Sequence, residues 1–347
     1  MRLFPVILAA ALAAAPCSAQ APAPASAPLT MDPAVRTGRL PNGLRYYVRR
    51  NARPEKRAEL RLVVNAGSIL ETDAQRGVAH FVEHMAFNGT RRFPKSAIVD
   101  FLERIGMRFG ADVNASTSFD ETTYMLQVPT DTAKFIETGL DILEDWAHGI
   151  SFDPAELQKE RGVVVEEWRS GRDAITRVSN RQIPVMLRGS AYADRLPIGT
   201  KENLESFPDS VARAFYRDWY RPDLMAVIAV GDFDPATMAR LIQARFARIP
   251  MPNAPRRRAE APVPDHAETL VSIEADREYP GRDVSMLWLK PRMHERTTAD
   301  MRRGLVARFH DTMLNLRFAE IAQHPDAPFA YAGGGRGDIV RTKAAFQ

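Results

Sequence analysis

The sequence predicts an α+β fold, in which an antiparallel-rich sheet carries helices packed on it. Short apolar runs of strand length alternate with long segments of helical periodicity through the first 250 residues. A proline-rich break follows at residues 251–264, and beyond it the order strand, strand, helix begins again. On its own, this repeated order is weak evidence for two halves of one duplicated type, of which the second would be incomplete in this chain.

The N-terminus has the pattern of a signal peptide, predicted over residues 1–19. Residues 3–15 form an apolar stretch too short to span a bilayer, and Cys17-Ser18-Ala19 resembles a small-residue cleavage site. Lipid attachment at Cys17 is the alternative, but Pro16 is a poor fit to the small residue that such a site prefers. Residues 20–30, rich in Ala and Pro, predict a flexible leader. We therefore expect an exported protein, periplasmic or secreted, with no stable membrane span after signal removal.

The first domain is predicted over residues 31–250 and opens with a turn at Pro41-Asn42-Gly43. Apolar alternation predicts strands at 44–49, 60–65, 122–128 and 225–230. Capping residues and periodicity predict helices at 73–87, 94–106, 131–147, 154–170, 208–220 and 234–249.

Residues 251–264 are predicted as a linker because they contain four prolines. The run Arg256-Arg257-Arg258 within it is interpreted as a solvated tether rather than a nucleic-acid patch. Residues 265–347 are predicted as the start of a second domain of the same type, with strands at 270–273 and 284–289 and a long helix at 298–322. This second domain is short, so we expect the chain to be a truncated piece.

Composition and charge exclude several classes of protein. Hydrophobic residues make up 45% and charged residues 26%, which excludes a mainly disordered chain and a polytopic membrane protein. The formal charge of +4, from 47 basic and 43 acidic residues, is too small to indicate a nucleic-acid partner. Cys17 is the only cysteine and lies in the predicted signal peptide, so disulfides, thiolate nucleophiles and cysteine metal sites are excluded together.

The chemistry is predicted in the helix that contains His80-Phe81-Val82-Glu83-His84. Two histidines four residues apart lie on one helix face, which suits two imidazole ligands on one metal ion. Glu83 borders the same face, from which it can reach a metal-bound water without occupying a coordination position. The alternative is an ordinary polar helix face, because a pattern of five residues also recurs by chance.

A third ligand is sought in the helix around residues 160–168. Glu160 and Glu167 are seven residues apart and share a face, whereas Glu166 points about 100° away from Glu167. One carboxylate can then bind a metal while the other supports the ligands from behind. Gly162 in mid-helix indicates close packing or a local kink. A simple charged face is the alternative here, and would be preferred without the histidine motif.

Together, the two helices resemble the inverted zinc-binding motif of the pitrilysin/insulinase family of zinc peptidases. Further matches are the segments Gly77-Val78-Ala79-His80, Asn88-Gly89-Thr90, Asn114-Ala115-Ser116-Thr117-Ser118 and Tyr220-Arg221-Pro222 to Gly231-Asp232-Phe233. The resemblance covers residues 35–250 and, more weakly, the remainder. It implies a zinc-dependent endopeptidase that cleaves peptides or unfolded segments, with one Zn²⁺ per chain.

The resemblance also implies roles for individual residues. His80, His84 and Glu167 would be the zinc ligands, with Glu166 left open as the third because the spacing from His84 is longer than usual in the family. Glu83 would be the general base, and Glu160 a carboxylate supporting catalysis. Asn114 and Ala115 match the strand edge on which the family binds extended peptides.

Completion of the site would require a further half or a partner chain, since the family's second half contributes residues near the scissile bond. The fragment alone is expected to show weak or no cleavage. A non-catalytic binding or assembly subunit with the same fold remains the alternative function.

Overall fold

The computed structural model describes residues 26–347, so the predicted signal peptide and most of the leader lie outside the described residues. Nine strands are formed there: β1 Val35–Arg39, β2 Arg45–Arg50, β3 Arg57–Val64, β4 Val113–Thr117, β5 Thr122–Pro129, β6 Met225–Gly231, β7 Trp288–Pro291, β8 Arg336–Val340 and β9 Lys343–Phe346. The α-helices of the described residues are α1 Val78–Met85, α2 Ala97–Arg104, α3 Ala133–His148, α4 Pro154–Ser170, α5 Ala174–Met186, α6 Lys201–Ser206, α7 Asp209–Trp219, α8 Pro235–Phe246 and α9 Thr298–Ala322.

The predicted α+β fold with an antiparallel-rich sheet is confirmed. Six strands form one sheet in the order β1-β2-β6-β3-β5-β4, and the remaining three form a sheet in the order β7-β9-β8. Every neighbouring pair is antiparallel except β2 and β6, which run parallel. The inserted strand β6 therefore joins an N-terminal hairpin to the strands that follow it.

The six-stranded sheet buries one face beneath helices. Along β3 and β5, alternate residues are fully buried while the residues between them are partly exposed, which is the pattern of a sheet covered on one side. Helix α3 packs on β3 and β5, and α1 packs between α4 and α7 and against β4. Large side chains of this core include Trp146, Phe81 and Phe215, each fully buried. The sheet, α3 and α7 form the base against which α1 packs, and α4 packs on α1.

The chain divides into two compact units. One contains residues 31–292 and 334–347, and the other contains residues 293–333 together with the described residues 26–30. In the second unit, Thr297 caps α9 by accepting a hydrogen bond from the Asp300 amide, and Leu29 donates its amide to the Arg296 carbonyl. No helix among the described residues is long and apolar enough to cross a membrane. The predicted domain boundaries at 250 and 264 stay predictions.

Several local predictions are wrong. Residues 270–273 form no strand, since Val271 and Ile273 are exposed and pair with no described strand. The predicted helix from residue 73 is interrupted, because Gly77 adopts a left-handed φ of 95° and the α-helix begins only at Val78. Strands β1, β8 and β9 and helices α5 and α6 are absent from the prediction.

The arginine run of the linker is also not a uniformly solvated tether. Arg258 has only 8% of its side chain exposed and donates to the Asn65 carbonyl at 2.9 Å and to the Asp120 carboxylate at 3.2 Å. The chain at Arg258 therefore lies against the turn between β4 and β5.

Candidate metal centre

Helix α1 is fixed at both ends. A buried carboxylate, Glu71, accepts the amide hydrogens of Gly77 at 3.1 Å and Ala79 at 2.7 Å, which satisfies backbone donors that the first turn leaves free. At the other end, the Trp146 indole of α3 donates to the Ala86 carbonyl at 3.0 Å. Burial raises the pKa of Glu71 to about 8, although the two amides and Arg195 act against the shift. Glu71 therefore orients the helix that carries the motif.

The two histidines of α1 point their Nε2 atoms at each other. These atoms are 3.2 Å apart, and the rings meet edge to face with centroids at 4.6 Å. The second nitrogen of His84, Nδ1, contacts Glu160 Oε1 at 2.7 Å. Among the described residues, the buried Nδ1 of His80 has no hydrogen-bond partner. Both Nε2 atoms thus face one common point between the helices.

Helix α4 brings the carboxylates to that point. It begins where Asp153 accepts the amides of Ala155 and Glu156 and where Pro154 takes the first helical position. Arg161 fixes the middle of the helix by donating to the Phe207 carbonyl at 2.9 Å. The prediction that Gly162 marks close packing is wrong, since a Cβ there would meet nothing within 4 Å, and the helix is continuous.

Glu160 and Glu167 share the face of α4 that looks toward α1. Glu167 Oε2 lies 3.3 Å from His84 Nε2 and 3.7 Å from His80 Nε2. Glu166 points elsewhere and pairs with Arg169 at 3.3 Å on the exposed side. Of the two carboxylates left open as a third ligand, the geometry therefore favours Glu167, and its role as a ligand stays a prediction.

The donor atoms fit a zinc ion. His80, His84 and Glu167 form a cluster of three potential ligand atoms. Zinc bound tetrahedrally at about 2.0–2.2 Å has ligand atoms about 3.3–3.5 Å apart. The three separations of 3.2, 3.3 and 3.7 Å are close to those edges. The set of two imidazoles and one carboxylate also leaves a fourth position, as catalytic zinc sites require.

The electrostatics of the cluster attract a positive charge. Burial would lower the pKa of His84, but hydrogen bonds to Glu160 and Glu167 outweigh it and raise that pKa to about 9. Burial and the charge of His84 lower the pKa of His80 to about 4. The hydrogen bond from His84 lowers the pKa of Glu167. The carboxylates therefore stabilise one positive charge in the cluster. A divalent cation at the same place would be stabilised more than a singly charged imidazolium.

Glu83 lies beside the cluster and is 7% exposed. Its Oε2 accepts a hydrogen bond of 2.6 Å from the Thr117 hydroxyl of β4. Burial raises the pKa of Glu83, and the Thr117 hydrogen bond acts in the opposite direction. The side chain is therefore held in place while its affinity for a proton is increased.

Strand β4 is one of the two edge strands of the six-stranded sheet, with β5 as its hydrogen-bonded neighbour. Asn114 is exposed on it, and the Ala115 amide donates to the Asn114 side-chain oxygen at 2.9 Å. Because Thr117 of the same strand contacts Glu83, the edge leads directly to the candidate centre. Pairing of this edge with a substrate stays a prediction.

The sequence does not predict three supporting residues: Glu71, Thr117 and Asn88, whose side-chain amide donates to Glu160 Oε2 at 2.8 Å. Thr117 and Asn88 lie inside segments whose family resemblance was noted, but nothing in their spacing predicts the side chains that they contact. Glu71 carries no motif signal at all.

Two family models match the chain. One, described as Insulinase (Peptidase family M16), matches residues 46–185, and one described as Peptidase M16 inactive domain matches residues 210–302. A protein named Zinc protease PQQL-like from Arabidopsis thaliana is 42% identical over 293 residues, which are 84% of this chain and 31% of that protein. The Probable zinc protease PqqL of Escherichia coli (strain K12) is 39% identical over 233 residues, 67% of this chain and 25% of that protein. The chain thus spans about a third or less of the length of these curated relatives.

Solved structures are similar over most of the chain. The first half of the periplasmic protease PqqL from Escherichia coli superposes with a TM-score of 0.79 at 31% identity, covering 92% of this chain and 68% of that chain. The longer structure of the same periplasmic protease gives a TM-score of 0.80 at 32% identity, covering 92% of this chain and 35% of that one. Both helices of the candidate centre lie within residues 46–185, the range that the first family model matches.

Proposed function

Since the chain belongs to the insulinase family of peptidases, family M16, we propose that it carries the zinc centre of a metalloendopeptidase. The observation that carries the proposal is the convergence of His80, His84 and Glu167 on one point, with the buried Glu83 beside it. A binding or assembly subunit would have no use for a buried carboxylate held next to two imidazoles. The peptidase is therefore preferred to that alternative.

In the proposed mechanism, a zinc ion at this point supplies Lewis acidity, lowering the pKa of water toward about 7 and polarising the peptide carbonyl. Glu83 acts as the general base and accepts the proton of the attacking water. Its raised pKa suits it to keep that proton briefly and then to deliver it to the departing amine. The hydrogen bond from the Thr117 hydroxyl holds the Glu83 carboxylate in the position from which it accepts and returns this proton.

The remaining residues orient the ligands and the substrate. Glu160 accepts from His84 Nδ1, which fixes the imidazole with Nε2 toward the metal. An extended peptide would add to the exposed edge of β4, with Asn114 and Ala115 contributing main-chain contacts. Peptides or unfolded segments are the substrates that such strand addition favours, because folded strands already have partners.

Two wider features belong to the same proposal. The candidate site lies in a chain much shorter than its relatives, so a further half or a partner chain would complete the substrate chamber. The pattern of the first 19 residues and the periplasmic PqqL to which the chain is similar support export to the periplasm. The chain alone is then expected to bind zinc but to cleave peptides weakly.

Zinc content tests the centre directly. Protein spanning residues 20–347 is dialysed and analysed for metal, and about one zinc per chain is expected. Glu167→Gln should lose most of the zinc, whereas the neighbouring Glu166→Gln is the matched control and should retain it. Absence of zinc from the unaltered chain, or equal retention by both variants, would refute the proposed ligand set.

Catalysis requires a second measurement. Cleavage of an unfolded, fluorescently quenched peptide is followed with and without the proposed further half or partner chain added in trans. Glu83→Gln should keep its zinc and lose turnover, while His80→Ala should lose both. Substantial cleavage by Glu83→Gln would show that the general base is misassigned, and strong cleavage by the chain alone would show that no further half is needed.

A further inference from the structure

Asn88 lies in the turn after α1, behind the candidate metal centre. Its amide nitrogen Nδ2 is 2.8 Å from Glu160 Oε2 and 3.1 Å from the His84 carbonyl oxygen. Both neighbours are acceptors, so only the NH₂ group of the amide can face them. Its two hydrogens then serve one acceptor each, and the orientation of the side chain follows from the chemistry of its partners.

The backbone around Asn88 is well anchored. The Asn88 amide donates to the Met85 carbonyl at the end of α1. The carbonyl of the next residue, Gly89, accepts both the amide and the hydroxyl of Ser151, at 3.1 and 2.9 Å. Because its backbone is fixed, Asn88 can hold the Glu160 carboxylate in one position.

Glu160 depends on this contact. Its side chain is only 10% exposed, and its two oxygens are divided between His84 Nδ1 and Asn88 Nδ2. When a buried carboxylate loses one of its two hydrogen-bond donors, it still pays the free-energy cost of desolvation. Water cannot replace the lost hydrogen bond, because the group is buried. We expect it to rotate toward solvent or toward other donors, and His84 would then lose the acceptor that orients its ring.

We propose that Asn88 is a positioning residue for the metal centre: its amide holds Glu160 in the orientation that aims His84 Nε2 at the metal. The inference rests on the proposed zinc function. In this arrangement Glu160 orients the ligand His84, and Asn88 in turn orients Glu160. Asn88 also joins α1 to α4, since the amide contacts a backbone carbonyl of one helix and a side chain of the other.

The expected effect is a loss of metal affinity. Removing a group that orients a metal ligand costs about 10- to 100-fold in affinity. Asn88 acts through one further residue, so we expect Asn88→Leu to raise the zinc Kd about tenfold, at the low end of that range. Asn88→Asp, which sets a second carboxylate against Glu160, should weaken binding at least as much.

The experiment measures zinc Kd by competition with a chromophoric chelator on protein spanning residues 20–347. Asn42→Leu is the matched control: the Asn42 amide donates to two carbonyls at the end of α8, Phe246 and Ile249, at 2.8 and 3.0 Å, far along the chain from the candidate ligands. Asn42→Leu replaces an amide by the same apolar side chain and should leave the zinc Kd unaltered. Asn88→Ala provides a smaller substitution in case Asn88→Leu does not fold, as checked by circular dichroism.

A double-mutant cycle with Glu160→Gln separates positioning from general destabilisation. If Asn88 acts through Glu160, adding Asn88→Leu to Glu160→Gln should change the zinc Kd by less than twofold. Equal Kd values for Asn88→Leu and the unaltered chain, or a full tenfold effect in the Glu160→Gln background, would overturn the inference. Failure of the unaltered chain to bind zinc would instead refute the proposed function on which it rests.

Discussion

Replacement of the buried Glu71 by Gln should change how stability depends on pH. Glu71 has a pKa of about 8 in the folded chain against an ordinary value of 4.5, because burial disfavours its charged form. Below pH 4.5 the carboxyl is protonated in both states and carries no penalty. As pH rises from 4.5 to 8, the unfolded chain releases the proton and the folded chain retains it, so stability is lost across this window.

The size of the effect follows from the shift. Each pKa unit corresponds to about 1.4 kcal/mol, so the free energy of unfolding should fall by about 5 kcal/mol between pH 4.5 and 8 through this one group. Because Gln cannot ionise, the free energy of unfolding of Glu71→Gln does not fall with pH through this residue. Gln offers one acceptor where the carboxylate offers two, and leaving the longer bond from Gly77 unmade should cost about 1–2 kcal/mol. Glu71→Gln should therefore be slightly less stable at pH 5 and about 3 kcal/mol more stable at pH 8.

The assay is denaturant unfolding at pH 5, 6.5 and 8, followed by tryptophan fluorescence and circular dichroism. A chelator is present in all samples so that metal binding makes no contribution. Glu137→Gln, an exposed carboxylate of α3, is the matched control and should track the unaltered chain at every pH. If the difference between Glu71→Gln and the unaltered chain stays constant from pH 5 to pH 8, burial does not hold the Glu71 proton and the reasoning fails.

Three further predictions concern other parts of the chain. Gly162→Ala should raise the free energy of unfolding by about 0.5–1 kcal/mol, because α4 has open space there; a lower unfolding midpoint would contradict this. Asp145→Ala should cost about 3 kcal/mol, because the fully buried carboxylate accepts from Thr90 at 2.8 Å and from the Arg92 amide at 2.9 Å; calorimetry showing a loss below 1 kcal/mol would argue against it. Thr117→Val should reduce peptide cleavage by the completed enzyme about tenfold while zinc content is unchanged; unaltered cleavage would mean that Glu83 needs no such support.

The sequence predicts helix α4 of the site well because its signals are local. Asp153 and Pro154 define the start of α4, and the predicted range 154–170 coincides with the observed helix. The long helix at 298–322 is likewise observed where it was predicted. Spacings of four and seven residues place side chains on one helix face by geometry alone, so the convergence of His80 with His84 and of Glu160 with Glu167 follows from the helical period.

The contacts between segments could not be predicted in this way. That Thr117 faces Glu83 and Asn88 faces Glu160 depends on how β4 and α4 pack on α1, which no local pattern encodes. At residues 270–273 a local pattern predicts an element that does not form. Alternating apolar residues indicate a strand there, but a strand forms only where a partner edge is present. Arg258 was likewise judged by composition, whereas its burial depends on a carboxylate more than 100 residues away in the chain.

The position of β6 has a consequence for the order in which the molecule can be built. Val48 of β2 pairs with Ala229, and Leu62 of β3 pairs with Val227, so β6 bridges two strand sets that do not otherwise meet. A nascent chain that has emerged only as far as Tyr220 already contains every candidate ligand, but the edges of β2 and β3 that pair with β6 are still open. Contacts of such long range form slowly. The centre is therefore expected to become rigid only after the last strand of its sheet has been synthesised, and zinc supplied earlier would meet a site without its scaffold.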